Sequence, residues 1–352
     1  MKAARYYGQR DIRIENIPEP DLRPGTVAID VAWCGICGTD LHEYAEGPIF
    51  VPPAGHPHPI SGESAPITLG HEFSGTIVDL GDGVTDLEIG QSVVVEPYIV
   101  ADDVDTGPGQ RYQLSKNVNF IGLGGCGGGL SEKIVVKRRW VHPVGDMPLD
   151  QAALIEPLSV SRHAVVRSGA RPGQTAIVGG AGPIGLLTLS VLKAYGLKVF
   201  ISELSAARKA KATAAGADGV FDPREGSVAE MVRDQTQGRG ADVAFECSSV
   251  PAVLDMLVDA VRPGGVLVNV SIWGHKPAVD MPRLVLKEID LRGTLAYAND
   301  HPDTIALVRQ GKVNLKQFIT SRIALDKLVQ DGIEELIHNN EHQVKIIVNP
   351  RA

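Results

Sequence analysis

Gly35-Ile-Cys-Gly-Thr-Asp-Leu-His42 places Cys37, Thr39, Asp40 and His42 within six positions. His71 and Glu72 follow after an irregular stretch, and Glu156 opens the tripeptide Glu156-Pro-Leu158. One thiolate, one imidazole and one carboxylate make a donor set suited to Zn²⁺, with a fourth position left for water or a substrate oxygen. Taken singly, each residue has a plainer role. Cys37 suits a buried packing thiol, and His71 suits a core histidine satisfied by backbone. Glu72 and Glu156 suit surface or helix-start carboxylates. Thr39 and Asp40 suit turn and cap chemistry. These residues are far apart in the chain, so spacing leaves both readings open.

A second chemical signal lies further on. The run over 175–178 is short, apolar and β-prone, as for a strand buried on both faces. Gly180, Gly182 and Gly185 then give G-x-G-x-x-G, with Ala181, Pro183 and Ile184 between them. A helix is expected over 186–195, closed by Gly196. Such a turn lets backbone approach a pyrophosphate and aims helix N–H groups at its charge. Another apolar run, Lys198–Ser202, ends against Glu203. An acid at that place accepts both hydroxyls of an adenosine ribose. The four features together indicate dinucleotide binding. Glu203 favours NAD over NADP because a carboxylate repels a 2′-phosphate, and Arg208 is the nearby base that would counter it.

With 352 residues the chain is long enough for two domains. It is 43% apolar and 22% charged, the balance of an ordinary soluble enzyme, and its 39 glycines and 23 prolines favour a turn-rich β portion. A net charge of −8 without a Lys/Arg stripe speaks against nucleic acid and anionic membrane as partners. The start of the chain carries no apolar signal-like core, and no apolar run approaches the roughly 18 residues of a membrane span. Cys34, Cys37, Cys126 and Cys247 are too few to staple a chain of this size, so a reducing, cytoplasmic setting is expected.

The elements that must position these residues fall into two patterns. Over 1–155, β-branched runs at 26–33, 73–80, 91–96 and 131–136 are separated by Gly, Pro and Asp turns. Two long irregular stretches, 46–68 and 99–129, interrupt them, and loops of that length are usually functional or mobile. Over 156–298, strands at 175–178, 198–202, 219–221, 242–247 and 266–271 alternate with helices at 206–215, 228–235 and 252–261. That is an α/β pattern, a doubly wound parallel sheet with helices on both faces. The tail, 299–352, holds two helices and a last strand at 344–348 placed to rejoin the first part. The nucleotide-binding domain is thus expected as an insertion in a β-rich catalytic domain.

Gly35-Ile-Cys-Gly-Thr-Asp40, Gly70-His-Glu72, Glu156-Pro-Leu158 and Gly180-Ala-Gly-Pro-Ile-Gly185 occur in that order along essentially the whole chain. Together they resemble the zinc-dependent medium-chain alcohol dehydrogenases. Within that family, Thr68-Leu-Gly-His-Glu-Phe-Ser-Gly75 and Ile155-Glu-Pro-Leu-Ser-Val160 are similar to the (R,R)-2,3-butanediol dehydrogenases, neighbours of the sorbitol and threonine dehydrogenases. The resemblance implies a GroES-like catalytic domain joined to a Rossmann domain, with the active site in the cleft between them. It implies Cys37 and His71 as zinc ligands. Glu72 and Glu156 are the remaining candidates, exchanging between ligation and holding the zinc water. Asp40 would accept from the far side of the His71 ring. Thr39 would take the alcohol proton and pass it, by way of the nicotinamide ribose, to His42 at the surface.

The substrate implied is a small alcohol or ketone. A vicinal diol or hydroxyketone such as 2,3-butanediol or acetoin comes first, and a sorbitol-like polyol or another secondary alcohol second. Ile49, Phe50, Trp273 and Tyr297 are candidate pocket residues, while His56 and His58 read as loop or pocket-rim residues. A non-catalytic nucleotide-binding protein is the reading from outside the enzyme class, and the intact set Cys37, Thr39, His42, His71 and Glu156 speaks against it. One departure stands out. The family often holds a second, structural zinc on four closely spaced cysteines, yet 99–122 contains none. One catalytic zinc per subunit and no structural zinc is therefore expected, with that lobe held by packing or by a partner subunit. Ile289-Asp-Leu-Arg-Gly-Thr294 resembles the stretch through which family members extend their sheets across a two-fold, so a homodimer or homotetramer is expected.

Overall fold

The computed structural model describes residues 1–352. The chain divides into two compact units. One comprises Met1–Glu156, His301–Arg309 and Leu315–Ala352; the other comprises Pro157–Asp300 and Gln310–Asn314.

The first unit is organised on the strand Thr26–Gly35, which is largely buried along its length. It is buried because it has neighbours on both edges. Glu72–Leu80 pairs antiparallel along one, while Lys133–Lys137 and Lys345–Asn349 share the other. Ser92–Val95, Val141–Pro143 and Ile319–Ala324 complete a seven-stranded sheet. The last strand therefore does rejoin the N-terminal part of the chain. The register at the centre is specific: Gly35 lies opposite both Glu72 and Ile347. A Cβ at Gly35 would come within 2.1 Å of Glu72 Oε2, so this close approach requires glycine. Beyond Gly35 the chain turns through Ile36 and Cys37 into the helix Gly38–Glu46. That helix buries Asp40, Glu43 and Tyr44, spaced i, i+3 and i+4 along one face.

Two elements of this unit have little signature in the sequence. Lys2–Gly8 and Asp11–Asn16 form an antiparallel hairpin, to which Ile67–Thr68 adds a short third strand. Asp11–Asn16 buries none of its side chains fully, so the alternation that marks a half-buried strand is blurred. Ile319–Ala324, also without a fully buried residue, pairs parallel with the last strand.

The cysteine-free lobe is held by rings. Tyr98 meets Tyr112 edge-on at 5.2 Å between centroids, with Phe120 at 5.1 Å and Trp140 at 5.8 Å. Such pairs add stability beyond the area they bury. At the base of this cluster the buried Glu96 accepts the Tyr112 hydroxyl, and its Oε2 lies 3.2 Å from His142 Nε2. Burial alone would raise the Glu96 carboxyl. The hydrogen bond from His142, the charge of His301 and the Tyr112 bond outweigh it and hold the group below the usual range.

The second unit is a six-stranded sheet in the order Gly219–Phe221, Lys198–Ser202, Thr175–Gly179, Ala241–Glu246, Val261–Asn269 and Asp290–Gly293, all parallel. This is the doubly wound Rossmann order, with its switch point beside Thr175–Gly179. Helix Pro183–Ala194 begins three residues before the expected 186, with Pro183 in its first turn. Proline fits there because that turn's N–H groups lack intrahelical partners and its φ is already helical. No helix in the chain is long and apolar enough to cross a membrane.

Glu96→Gln is expected to cost about 2 kcal/mol, the penalty for a buried hydrogen-bond acceptor that loses its charge-assisted partners. The loss would be read as a lower urea midpoint. The wild-type contribution is present above the unfolded carboxyl value of about 4.3 and lost as pH falls through the lower folded value. An unchanged midpoint at pH 7 would show that ring packing alone holds the lobe.

Candidate metal centre

Cys37 sits at the N-cap of the helix Gly38–Glu46, and its backbone N–H donates to Asp40 Oδ2 at 2.9 Å. The carboxylate thereby fixes the turn that presents the thiol. Cys37 Sγ and Thr39 Oγ1 are 3.7 Å apart. His71 and Glu72 come from the start of the neighbouring strand, and the pairing of Gly35 with Glu72 draws them alongside Cys37. One ligand atom from each of Cys37, His71 and Glu72 lies within 4.8 Å of the other two. Zinc bonds of about 2.0–2.3 Å would set tetrahedral ligands roughly 3.3–3.8 Å apart, so a modest contraction closes this set on one ion.

Two buried atoms point to the same conclusion. His71 Nδ1 and Asp40 Oδ1 face each other at 3.7 Å, and neither has a hydrogen-bond partner. With Nδ1 turned to Asp40, Nε2 is the nitrogen available to a metal, the usual carboxylate–histidine–metal order. Burial pulls the His71 imidazole down, yet the charges of Asp40, Cys37 and Glu156 hold it well above its ordinary value. Burial raises the Asp40 carboxyl, with the His71 charge opposing. An excess of buried negative charge thus draws a proton onto His71, and a divalent cation answers the same field.

Glu156 is buried in the first turn of helix Ile155–Ser168, and its charge reaches His71. It is not among the three residues whose ligand atoms cluster within 4.8 Å. Thr39 is half-buried beside Cys37, and the His42 side chain is 53% exposed with Nδ1 3.6 Å from Glu46. Phe50 and Trp273 are half-buried, Ile49 is exposed and Tyr297 is fully buried. Trp273 packs on the core of its own unit and donates to Asn269 at 2.7 Å. His56 is exposed, and His58 Nδ1 accepts from the backbone of Ile60, so both belong to their loop.

Two residues of this centre went unnoticed in the sequence. Lys345 is buried, and its Nζ donates to both oxygens of Glu72, at 2.8 and 2.7 Å, and to the Ile36 carbonyl at 3.0 Å. Its signal was a lysine heading an otherwise apolar strand, a place where lysine is rare without a partner. Glu43 is fully buried and accepts the N–H groups of Ile49, Phe50 and Val51, fixing that loop. Its only mark was a position three residues after Asp40 on one helix face.

In the second unit the glycine-rich turn is built as expected. A Cβ at Gly185 would lie 2.0 Å from the Gly180 carbonyl oxygen, so the helix packs on the turn only with glycine. Gly182 caps the helix that Pro183 and Ile184 begin. Glu203 follows the strand Lys198–Ser202 and accepts from the Ala181 N–H at 2.8 Å, tying the acid to the turn. Its other oxygen accepts the N–H groups of Leu204 and Ser205. Arg208 lies in the next helix, Ala206–Ala214. Asp222 binds Lys209 and Arg224, so both cations are already paired.

The comparisons with known proteins agree with this geometry. Residues 183–310 match the model of the zinc-binding dehydrogenase family, and residues 23–146 match the alcohol dehydrogenase GroES-like domain. The (R,R)-butanediol dehydrogenase of Neisseria gonorrhoeae is 67% identical, covering 99% of each chain. Human sorbitol dehydrogenase is 33% identical over 92% of this chain and 89% of its own. The crystal structure of 2R,3R-butanediol dehydrogenase from Bacillus subtilis superposes with a TM-score of 0.93 at 41% identity, covering 99% of each chain. With a nucleotide turn, a thiol–imidazole–carboxylate cluster and full-length relatives of this kind, the chain belongs to the zinc-dependent medium-chain alcohol dehydrogenases.

Proposed function

We propose that this chain is an NAD-dependent dehydrogenase interconverting a vicinal diol of the 2,3-butanediol type and its hydroxyketone, acetoin. The observation that carries this reading is the convergence of Cys37, His71 and Glu72 in a chain 67% identical to an (R,R)-butanediol dehydrogenase. A sorbitol-like polyol is the second reading, favoured by the 33% identity to human sorbitol dehydrogenase. We assign one zinc per subunit, held by Cys37, His71 and a carboxylate from Glu72 or Glu156, and no structural zinc. The first unit is read as the catalytic domain and the second as the NAD-binding domain.

Bound zinc supplies Lewis acidity that makes an alcohol hydroxyl acidic near neutral pH, and bound nicotinamide supplies the hydride acceptor. The remaining work falls to the chain itself. Thr39, 3.7 Å from Cys37 Sγ, is placed to take the substrate proton. His42 lies one helical turn on, half in solvent, and delivers that proton outward. Asp40 holds the His71 ring. Glu203 meets the adenosine ribose and disfavours a 2′-phosphate, while Asp222 keeps Lys209 and Arg224 from serving one.

We also infer a homodimer or homotetramer. The edge strand Asp290–Gly293 leaves Leu291 44% exposed, and the adjoining Leu286 is 84% exposed. Four free thiols fit a reducing cytoplasm.

His42→Gln should lower kcat at neutral pH by roughly 10–100-fold, with recovery at high pH or in imidazole buffer. Full activity without rescue would remove His42 from the relay. NAD should support a higher kcat/KM than NADP, and Glu203→Ser should narrow the gap; a wild-type preference for NADP would refute the cofactor assignment. In a panel of diols, polyols and secondary alcohols with chiral product analysis, 2,3-butanediol and acetoin should give the highest kcat/KM. A higher value for sorbitol would select the second reading.

A further inference from the structure

The first unit contains a cavity of about 630 Å³, within the range of sites that take small molecules. None of Cys37, Thr39, His71, Glu72 or Glu156 lines it. Its lining joins Tyr98, Ile99 and Val100 of the cysteine-free lobe to Val135 and Val136 of the sheet. Four cations line it, Arg23, Lys137, Arg138 and Arg139, against two carboxylates, Glu63 and Asp102. Most of these charges are already answered. Lys137 pairs with Asp102, and Arg138 donates to both oxygens of Asp86, at 2.8 and 2.6 Å. Glu63 accepts the Cys126 N–H at 2.8 Å. The side chains of Arg23 and Arg139 make no hydrogen bond and no ion pair.

The backbone leaves Arg139 over. Arg138–Trp140 is a 3₁₀ turn between the strands Lys133–Lys137 and Val141–Pro143. With three residues per turn, successive side chains leave on three different sides. Arg138 goes to Asp86, and Trp140 enters the ring cluster beside Tyr98. The Arg139 guanidinium lies over the Trp140 ring, 4.7 Å from its centroid. Stacking fixes its plane and leaves its edge for a planar oxyanion, which a carboxylate meets with two parallel bonds. Its Nε is shielded from solvent and bonded to nothing, a costly state for a buried donor. Burial pulls the Arg139 guanidinium down, and only the charge of Asp102 opposes it. We propose that this cavity binds a small organic acid, its carboxylate on Arg139 and Arg23 and its apolar body against Ile60 and Val135. Both of those residues are half-buried, so each has apolar surface left to cover. The site is independent of the metal centre and of the substrate reading. Its ligand would tie the lobe to the sheet.

The test titrates benzoate into the full, zinc-loaded chain by calorimetry, with benzamide as a neutral analogue of the same shape. Benzoate should bind, and benzamide should bind about tenfold more weakly or worse, the loss of a charge-assisted pair. Arg139→Met should weaken benzoate by on the order of tenfold or more, and Arg23→Met by a smaller factor. Arg139→Lys should not restore the affinity, because an ammonium lacks the planar fork. In crystals soaked with para-bromobenzoate, the anomalous signal of bromine should lie in this cavity. The site is overturned if wild type takes no benzoate up to about 10 mM, or if benzamide binds equally well. Wild-type affinity in folded Arg139→Met, or bromine seated only elsewhere, overturns it too. Should Arg139→Met not fold, Arg23→Met and the benzamide comparison decide, since Arg23 is exposed. A changed sedimentation of Arg23→Met would assign this face to a second copy of the chain and likewise overturn the site.

Discussion

The pairing of Gly35 with Glu72 across two antiparallel strands fixes the position of everything at the centre. It brings a thiol from one strand end beside an imidazole and a carboxylate from the other. It also concentrates charge of one sign: Asp40, Glu72 and Glu156 are all buried, and Cys37 is a potential thiolate. Burying carboxylates this close is costly unless cations answer them. Lys345 answers Glu72, and His71 responds by holding its proton far above the ordinary range. A divalent ion would release that proton and leave the imidazole free to coordinate. The strand register, the protonation of His71 and the fit to zinc are therefore one electrostatic problem with one solution.

The second unit solves a different problem with the same economy of parts. Its glycine-rich turn follows the strand Thr175–Gly179 and leads into the helix Pro183–Ala194, an arrangement that suits a dinucleotide. Gly185 packs against the Gly180 carbonyl, so the helix starts close to the sheet. Glu203 is fixed by three backbone N–H groups, those of Ala181, Leu204 and Ser205. So held, the carboxylate has a fixed position beside the glycine-rich turn.

The second unit was the easier to read from sequence. Its central strands are largely buried and appear as apolar runs, and its glycines mark the turn; 198–202 and the partly buried 219–221 match their observed bounds. The cluster at Cys37 and His71 was visible as a set of residue types and became specific through resemblance. What stayed hidden depended on partners distant in sequence. Lys345 heads an apolar strand and so calls for a partner, but its neighbours do not identify that partner as a carboxylate 273 residues away. Glu43 supports a loop through backbone groups that carry no sequence signal. The strands Asp11–Asn16 and Ile319–Ala324 are half-exposed edges whose pattern is too weak to count.

The most direct test of the centre is X-ray absorption at the zinc edge of the full, zinc-loaded chain. The account requires one sulfur per zinc at about 2.3 Å, with the remaining ligands nitrogen or oxygen near 2.0–2.2 Å. A first shell with no sulfur, or with several sulfurs per zinc, would contradict it.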